Sequence, residues 1–232
     1  MKKEDMHQKV LEAIYDHYLN EKIDKEFMWD GPSYWEKYEA SKPRIVFLAK
    51  EAHDSFHPST PRPLDDRFTR NIARWASVIN SILDANSKIK NPFEENLQNA
   101  YDSIAIVETK KIDDGYTSSS DSNLKKFAWL GRDFLKEQLE ILKPYIIICC
   151  GTIDYFHIIN NYSREQQQQI EKEIFKIGEC NCINSGNILV VDFYHPSTRK
   201  KGFTDLYLFN LMKDIFLNKS VQSEYFKILA SK

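Results

Sequence analysis

Two short segments of the sequence concentrate side chains that can carry chemistry. Residues 50–55 read K-E-A-H-D-S, and residues 194–202 read Y-H-P-S-T-R-K-K-G. Carboxylates and imidazoles in such loops can transfer protons as general acids or bases, and His53 beside Asp54 is one possible general-base pair. A basic run such as residues 199–201 can contact the phosphates of a nucleic acid. These segments therefore mark where a functional site is expected.

Short apolar runs that predict strands precede both segments. The predicted strands are Ile45–Ala49, Ser103–Thr109, Tyr145–Cys150 and Ile188–Phe193. The third run is continuously apolar and leads directly into Gly151, which is typical of a strand buried on both faces of a parallel sheet. Ligands of such sheets bind at the carboxyl ends of the strands. The loops expected to surround a site are 50–67, 109–123, 151–153 and 194–202.

Helical periodicity separates these strands. Helices are predicted within the first 25 residues, from Asp65 to Leu83, from Leu124 to Leu142, from Thr152, over 164–177 and from Phe203 to Leu217. Residues 26–43 read as irregular, and Asp113–Ser122 as a flexible loop. The alternation predicts an α/β fold, a three-layer α/β/α sandwich around a four-stranded, mainly parallel sheet. We expect one domain over residues 1–232, with a helical extension (1–43), a core (44–217) and a peripheral insertion (163–187).

Composition limits the class of protein. The chain has 32 basic and 34 acidic residues, which excludes a uniformly basic nucleic-acid coat but permits a local basic patch. Its longest apolar run has six residues, too short to cross a membrane, and no signal peptide is recognised. The four cysteines form no C-x-x-C pair, so we expect reduced thiols and a cytoplasmic location. We also expect no membrane partner, no metal and no cofactor, and an iron–sulfur or zinc site built from the four cysteines is the open alternative. His7, His17 and His157 are expected at the surface.

Three motifs together resemble the uracil-DNA glycosylase superfamily. In the iron–sulfur branches of that family the first loop reads G-E-A/G-P-G, a lysine-proline pair precedes a buried strand that ends in leucine-glycine, and the last strand ends in H-P-S. Here E-A at 51–52 matches the first motif, K-P at 143–144 with Gly151 the second, and H-P-S at 195–197 the third. The resemblance covers residues 44–217 in order and spacing.

The resemblance implies cleavage of an N-glycosidic bond, as in DNA repair. It implies that Glu51 stabilises the positive charge that develops on the sugar or orients water, and that His195 stabilises the departing base. Ser197 would contact the backbone phosphate of a flipped nucleotide, and Phe68 would stack on the base. The loop that presses into the minor groove in this family contains Arg199, Lys200 and Lys201.

Several positions depart from the family pattern. Lys50 replaces the first glycine of the first motif, and His53-Asp54 replaces its proline-glycine. The cluster-binding cysteines are missing, so no iron–sulfur cluster is implied. Glu108 stands where the family has the asparagine that reads uracil. Because an ionised carboxylate only accepts hydrogen bonds, it suits an edge with adjacent donors, such as guanine, or an exocyclic amine better than uracil. We therefore expect inefficient excision of uracil.

Plainer roles remain open for the same residues. Glu51 could cap the following helix, and the His195 ring could bond a neighbouring carbonyl group where the strand ends. Phe68 could be a core residue, and residues 199–201 a solvated turn. The leading function is a divergent superfamily protein, a hydrolase of the DNA N-glycosylase type if it is an enzyme, that acts on nucleic acid or a nucleobase-containing ligand. The alternatives are a non-catalytic binding module on the same fold and a small-nucleotide hydrolase that uses His53, Asp54 and Glu51.

Overall fold

The sheet of this protein is larger than its apolar runs predict. The computed structural model describes residues 1–23, 25–51, 64–84, 91, 93, 97–113 and 119–232. The strands within these ranges are β1 (Gly31–Pro32), β2 (Ile45–Glu51), β3 (Ile104–Lys110), β4 (Ile146–Cys150), β5 (Glu171–Ile177), β6 (Cys180–Ser185) and β7 (Leu189–Phe193). They form one seven-stranded mixed sheet in the order β1-β3-β2-β4-β7-β6-β5.

The centre of the sheet consists of the four predicted strands. β3, β2, β4 and β7 are neighbours and are parallel at every pairing, with Ile45 opposite both Ile104 and Ile146, and Ile146 opposite Leu189. The prediction of four adjacent parallel strands is confirmed. The prediction that the sheet has only four strands is wrong, because β1 extends one edge and β6 and β5 extend the other, all in antiparallel pairing.

The described helices are α1 (Lys3–Asn20), α2 (Trp35–Ala40), α3 (Arg67–Leu83), α4 (Gln98–Asp102), α5 (Asp121–Leu130), α6 (Arg132–Leu142), α7 (Ile153–Ile159), α8 (Arg164–Ile170), α9 (Asp205–Leu217) and α10 (Lys219–Ser231). Three predictions need correction. Residues 26–43 contain β1 and α2, the helix predicted over 124–142 is divided at Gly131, and the helix predicted over 164–177 ends at Ile170. Residues 171–177 pair with β6 instead, which provides their backbone with hydrogen bonds across the sheet.

Helices cover both faces of the sheet because the central strands bury both sets of side chains. Phe47 of β2 faces a core formed with α3, α9 and α10, where Trp75 is fully buried. Leu48, the next residue along the strand, faces the opposite core, formed with α2, α6 and α7. Full burial of one such side chain contributes about 1.5–3 kcal/mol. Within the described ranges, no helix has the length and apolar composition needed to cross a bilayer.

Candidate functional site at the carboxyl edge of the sheet

Three parallel strands end side by side where the sequence places its functional segments. β2 ends at Glu51, β4 at Cys150 and β7 at Phe193, in the order β2-β4-β7. The Gly151 N–H donates to the Phe193 carbonyl oxygen at 2.7 Å, which joins the last two ends. The fold therefore brings Glu51 and the start of the 194–202 segment to one edge. His53 and Asp54 lie outside the described residues.

Glu51 is held as a buried carboxylate by two partners. Its Oε2 lies 3.1 Å from the Lys110 Nζ atom, and its Oε1 accepts the Ser119 N–H at 2.7 Å. Burial by itself raises the pKa of Glu51, but the hydrogen bonds from Ser119 and the Lys110 ammonium outweigh it and lower the pKa below its ordinary value. A carboxylate of this kind stays ionised and is a weak base. Its contacts are with the end of β3 and with Ser119, which precedes α5. Glu51 is not the N-cap of α3, because that position is held by Asp66, whose side chain accepts the Thr69 N–H.

A backbone hydrogen bond determines the tautomer of the neutral His195 ring. The Ser197 N–H lies 3.2 Å from the His195 Nδ1 atom, so Nδ1 accepts and the proton of the neutral ring lies on Nε2. The ring packs against Phe68, with the centroids 5.6 Å apart. An imidazole with a protonated Nε2 can donate a hydrogen bond to a carbonyl group or to an oxygen that gains negative charge.

A buried side chain of α3 fixes the loop that carries His195. The Asn71 amide donates to the Pro196 carbonyl oxygen at 2.8 Å and to Asp205 Oδ1 at 3.2 Å. Asn71 is completely buried, so these bonds join α3, the loop and the start of α9. Asn71 is a positioning residue that sequence reasoning missed, because nothing in an isolated helical asparagine indicates such a role.

Phe68 and Glu108 are both buried beside the carboxyl edge. Phe68 lies in the first turn of α3, is 9% exposed and belongs to the core under that helix. Glu108 is 2% exposed and lies opposite Ala49 in the sheet. Burial and the charge of Glu108 both raise the pKa of the Cys150 thiol. The base-binding roles expected for both residues remain predictions.

The basic loop is at the surface. Arg199, Lys200 and Lys201 are exposed, whereas Ser197 is half-buried. Lys200 Nζ lies 3.2 Å from Glu179 Oε2, and the Tyr194 hydroxyl donates to the same oxygen at 3.0 Å. These contacts tie the loop to the turn between β5 and β6, and they leave its positive charge accessible to solvent.

A cavity of about 360 Å³ opens beside His195. Its lining is Lys50, Gly151, Glu179, Cys180, Asp192, Phe193, Tyr194, His195, Thr198 and Lys200. Glu51, Glu108 and Phe68 are described residues, and they do not line this cavity. Of the described residues predicted to be catalytic or base-binding, the lining contains only His195. The other lining residues include Lys50 and Asp192, which were not predicted as site residues. Burial, with repulsion from Asp154, raises the pKa of Asp192 to about 6. Asp192 was missed because it follows an apolar run and matches no motif.

Gly151 explains how Lys50 reaches this cavity. Its φ is +69°, a left-handed conformation that favours glycine, and a Cβ atom there would lie 3.3 Å from the Lys50 Cε atom. The Lys50 side chain therefore lies over the glycine that follows β4. Lys50 lines the cavity, so this side of the site carries a positive charge.

A second buried polar cluster anchors the N-terminal helix to the sheet. The Lys111 ammonium bonds the Asp30 carboxylate, and the Gln138 amide donates to Asp30 Oδ1 at 2.7 Å and lies 2.8 Å from the His7 Nε2 atom. Burial lowers the pKa of His7 to about 4, so its ring is neutral. The expectation that His7 is at the surface is wrong, because Gly31 leaves room for it: a Cβ atom at Gly31 would lie 2.5 Å from the ring.

All four cysteines are free and buried. Within the described part of the chain, no group of three or more His, Cys, Asp or Glu side chains is arranged to hold a metal ion. Comparison with protein-family models gives no match to this chain, and comparison with curated proteins gives none.

Proposed function

We propose that this chain is a divergent relative of the uracil-DNA glycosylase superfamily, with a three-layer α/β/α fold of that type, and that it acts on nucleic acid or on a nucleobase-containing ligand. The observation that carries the proposal is that Glu51 and the His195 loop lie at the same edge of four parallel strands. Such edges are where α/β proteins bind ligands. The proposed cleavage of an N-glycosidic bond comes from the family resemblance, and the position of Glu51 and His195 at this edge supports it.

The hydrogen bonds of the two proposed catalytic groups suit glycosidic cleavage. Glu51 is an ionised, weakly basic carboxylate, so its proposed role is electrostatic stabilisation of a cationic sugar, partly offset by Lys110. His195 has its proton on Nε2, from which it can donate to the oxygen of a departing base. The buried Glu108 offers only acceptors in its ionised form, and for that reason the proposed activity excludes efficient release of uracil.

The exposed loop that carries Arg199, Lys200 and Lys201 is the proposed contact with nucleic acid. Reversing all three charges to Glu is expected to weaken binding of single- and double-stranded oligonucleotides at least tenfold. The slope of log K against log salt should become shallower by about 2–3, because about 0.7–0.9 counterions are released per phosphate contact. Fluorescence anisotropy between 50 and 300 mM salt measures both quantities.

A matched triple reversal separates local contact from net charge. Lys136, Lys219 and Lys227 are exposed on α6 and α10, and replacing them by Glu gives the same change in charge. This variant should retain most of the affinity and nearly all of the salt slope. Equal losses in the two triple variants, or no binding by the unmodified protein, would contradict the proposed nucleic-acid contact.

A further inference from the structure

Two side chains of opposite charge face the cavity beside His195. Lys50 lies on β2 and Asp192 on β7, and these strands are separated by β4, which Gly151 follows. Adjacent strands are about 4.8 Å apart, so the two side chains extend from backbones about 10 Å apart across the sheet. This arrangement leaves room between them for a flat polar ligand. A volume of about 360 Å³ lies at the small end of ligand pockets.

Asp192 is an acceptor without a donor. Within the described residues, no side chain or loop amide donates to its carboxylate, and the pKa of about 6 reflects burial and repulsion alone. Burying a carboxylate in this way is costly unless a ligand supplies hydrogen bonds. Two oxygens of one carboxylate can accept from two adjacent N–H groups.

Lys50 is a donor at the other side of the same space. In the described part of the chain its ammonium has no ion pair, and its stem crosses Gly151. An ammonium in this place can donate to a carbonyl oxygen that lies next to the donors facing Asp192. The required ligand edge therefore reads acceptor, donor, donor.

We propose that this cavity binds the edge of a guanine-type base, with Asp192 accepting from the ring N–H and the exocyclic amine and Lys50 donating to the neighbouring carbonyl oxygen. Adenine lacks both the carbonyl group and the ring N–H, and uracil would turn a carbonyl oxygen toward one oxygen of Asp192. The assignment names a ligand class for the site described above and so rests on the proposed function.

The charge on Asp192 makes the binding depend on pH. The ionisable groups around it are Asp154 on α7, Cys149 on β4, Cys180 on β6, and Lys50, Glu179, His195 and Lys200 along the cavity. Ligand donors need the ionised carboxylate, so affinity should rise as the pH rises through about 6 and level off above 7.

Calorimetric titration of the full chain with free nucleosides tests this assignment. At pH 7.5 we expect 2′-deoxyguanosine to bind at least tenfold more tightly than 2′-deoxyinosine, which lacks only the exocyclic amine, and more tightly than 2′-deoxyadenosine or 2′-deoxyuridine. Asp192→Asn should lose at least tenfold in affinity for 2′-deoxyguanosine, and Lys50→Met several-fold. Asp154→Asn is the matched control: it removes a nearby carboxylate outside the cavity and should stay within twofold at pH 7.5.

The comparison of nucleosides uses the unmodified protein, so it does not depend on whether a variant folds. Equal affinity for 2′-deoxyguanosine and 2′-deoxyinosine, no binding of 2′-deoxyguanosine, or full affinity in a folded Asp192→Asn protein would overturn the assignment. Nucleoside binding involves neither DNA nor bond cleavage. Selective binding of 2′-deoxyguanosine without any binding of oligonucleotides would overturn the proposed contact with nucleic acid and leave the guanine site standing.

Discussion

Replacing Lys111 by Met is expected to lower the free energy of unfolding by about 3–5 kcal/mol, the cost of leaving a buried charge without its partner. The Lys111 side chain is completely buried, and that of Asp30 is 6% exposed. Without the ammonium, the donors that the Asp30 carboxylate keeps among the described residues are the Gln138 amide and the Glu108 N–H. Urea denaturation at pH 7.5 measures the loss.

The exposed pair of Lys3 and Glu39 provides the control for this prediction. Its side chains are 38% and 45% exposed, so Lys3→Met should cost no more than about 1 kcal/mol. The double variant Lys111→Met with Asp30→Asn should lose less than the two single variants together, since it removes both charges. A loss below 1 kcal/mol in Lys111→Met would show that the pair does not anchor the N-terminal segment.

Replacing Lys110 by Met is expected to have the second-largest effect, again about 3–5 kcal/mol at neutral pH. Lys110 is completely buried and contacts Glu51 and the Ser119 hydroxyl. The pKa of Glu51 is lowered in the folded protein, so its ionised form contributes stability above the unfolded pKa of about 4.3. That contribution is lost as the pH falls through the lower, folded pKa.

The lowered pKa of Glu51 determines how the stability of the Lys110→Met variant should depend on pH. Without the ammonium the folded pKa of Glu51 should rise, so the deficit relative to the unmodified protein should be largest near pH 7 and shrink as the pH falls toward 4. Adding Glu51→Gln should recover part of the deficit at pH 7. Denaturation curves at four pH values are sufficient, and a deficit that is constant with pH would contradict the ion pair as its cause.

The central strands could be predicted because the sequence contains short apolar runs at their positions. A strand covered on both faces is typically a continuous apolar run, and Tyr145–Cys150 is one. The edge strands lack that signature. Residues 171–177 read E-K-E-I-F-K-I, a mixture of polar and apolar side chains that also suits a helix, and only the pairing with β6 decides between a helix and a strand.

The candidate site was predictable only in part, because its surroundings come from distant segments. Glu51 and His195 stand at strand ends, where topology fixes their place. In the sequence, Lys110 and Lys111 belong to a predicted polar loop. In the structure both side chains are buried, and each pairs with a carboxylate that is distant in sequence, Glu51 and Asp30 respectively. The role of Asp192 could not be predicted from the sequence, because the cavity that it faces is formed by three strand ends and a hairpin turn that are distant in sequence.

Release of uracil from DNA is the measurement that tests the central claim most directly. Single- and double-stranded oligonucleotides with one uracil are incubated with the unmodified protein, with Glu108→Asn, and with Glu140→Asn as a control at an exposed site on α6. The carboxylate mismatch with uracil costs about 1–3 kcal/mol. We predict no efficient release by the unmodified protein or the control, and release by Glu108→Asn at a rate about tenfold or more above both. Robust uracil release by the unmodified protein, or none from Glu108→Asn, would contradict the account.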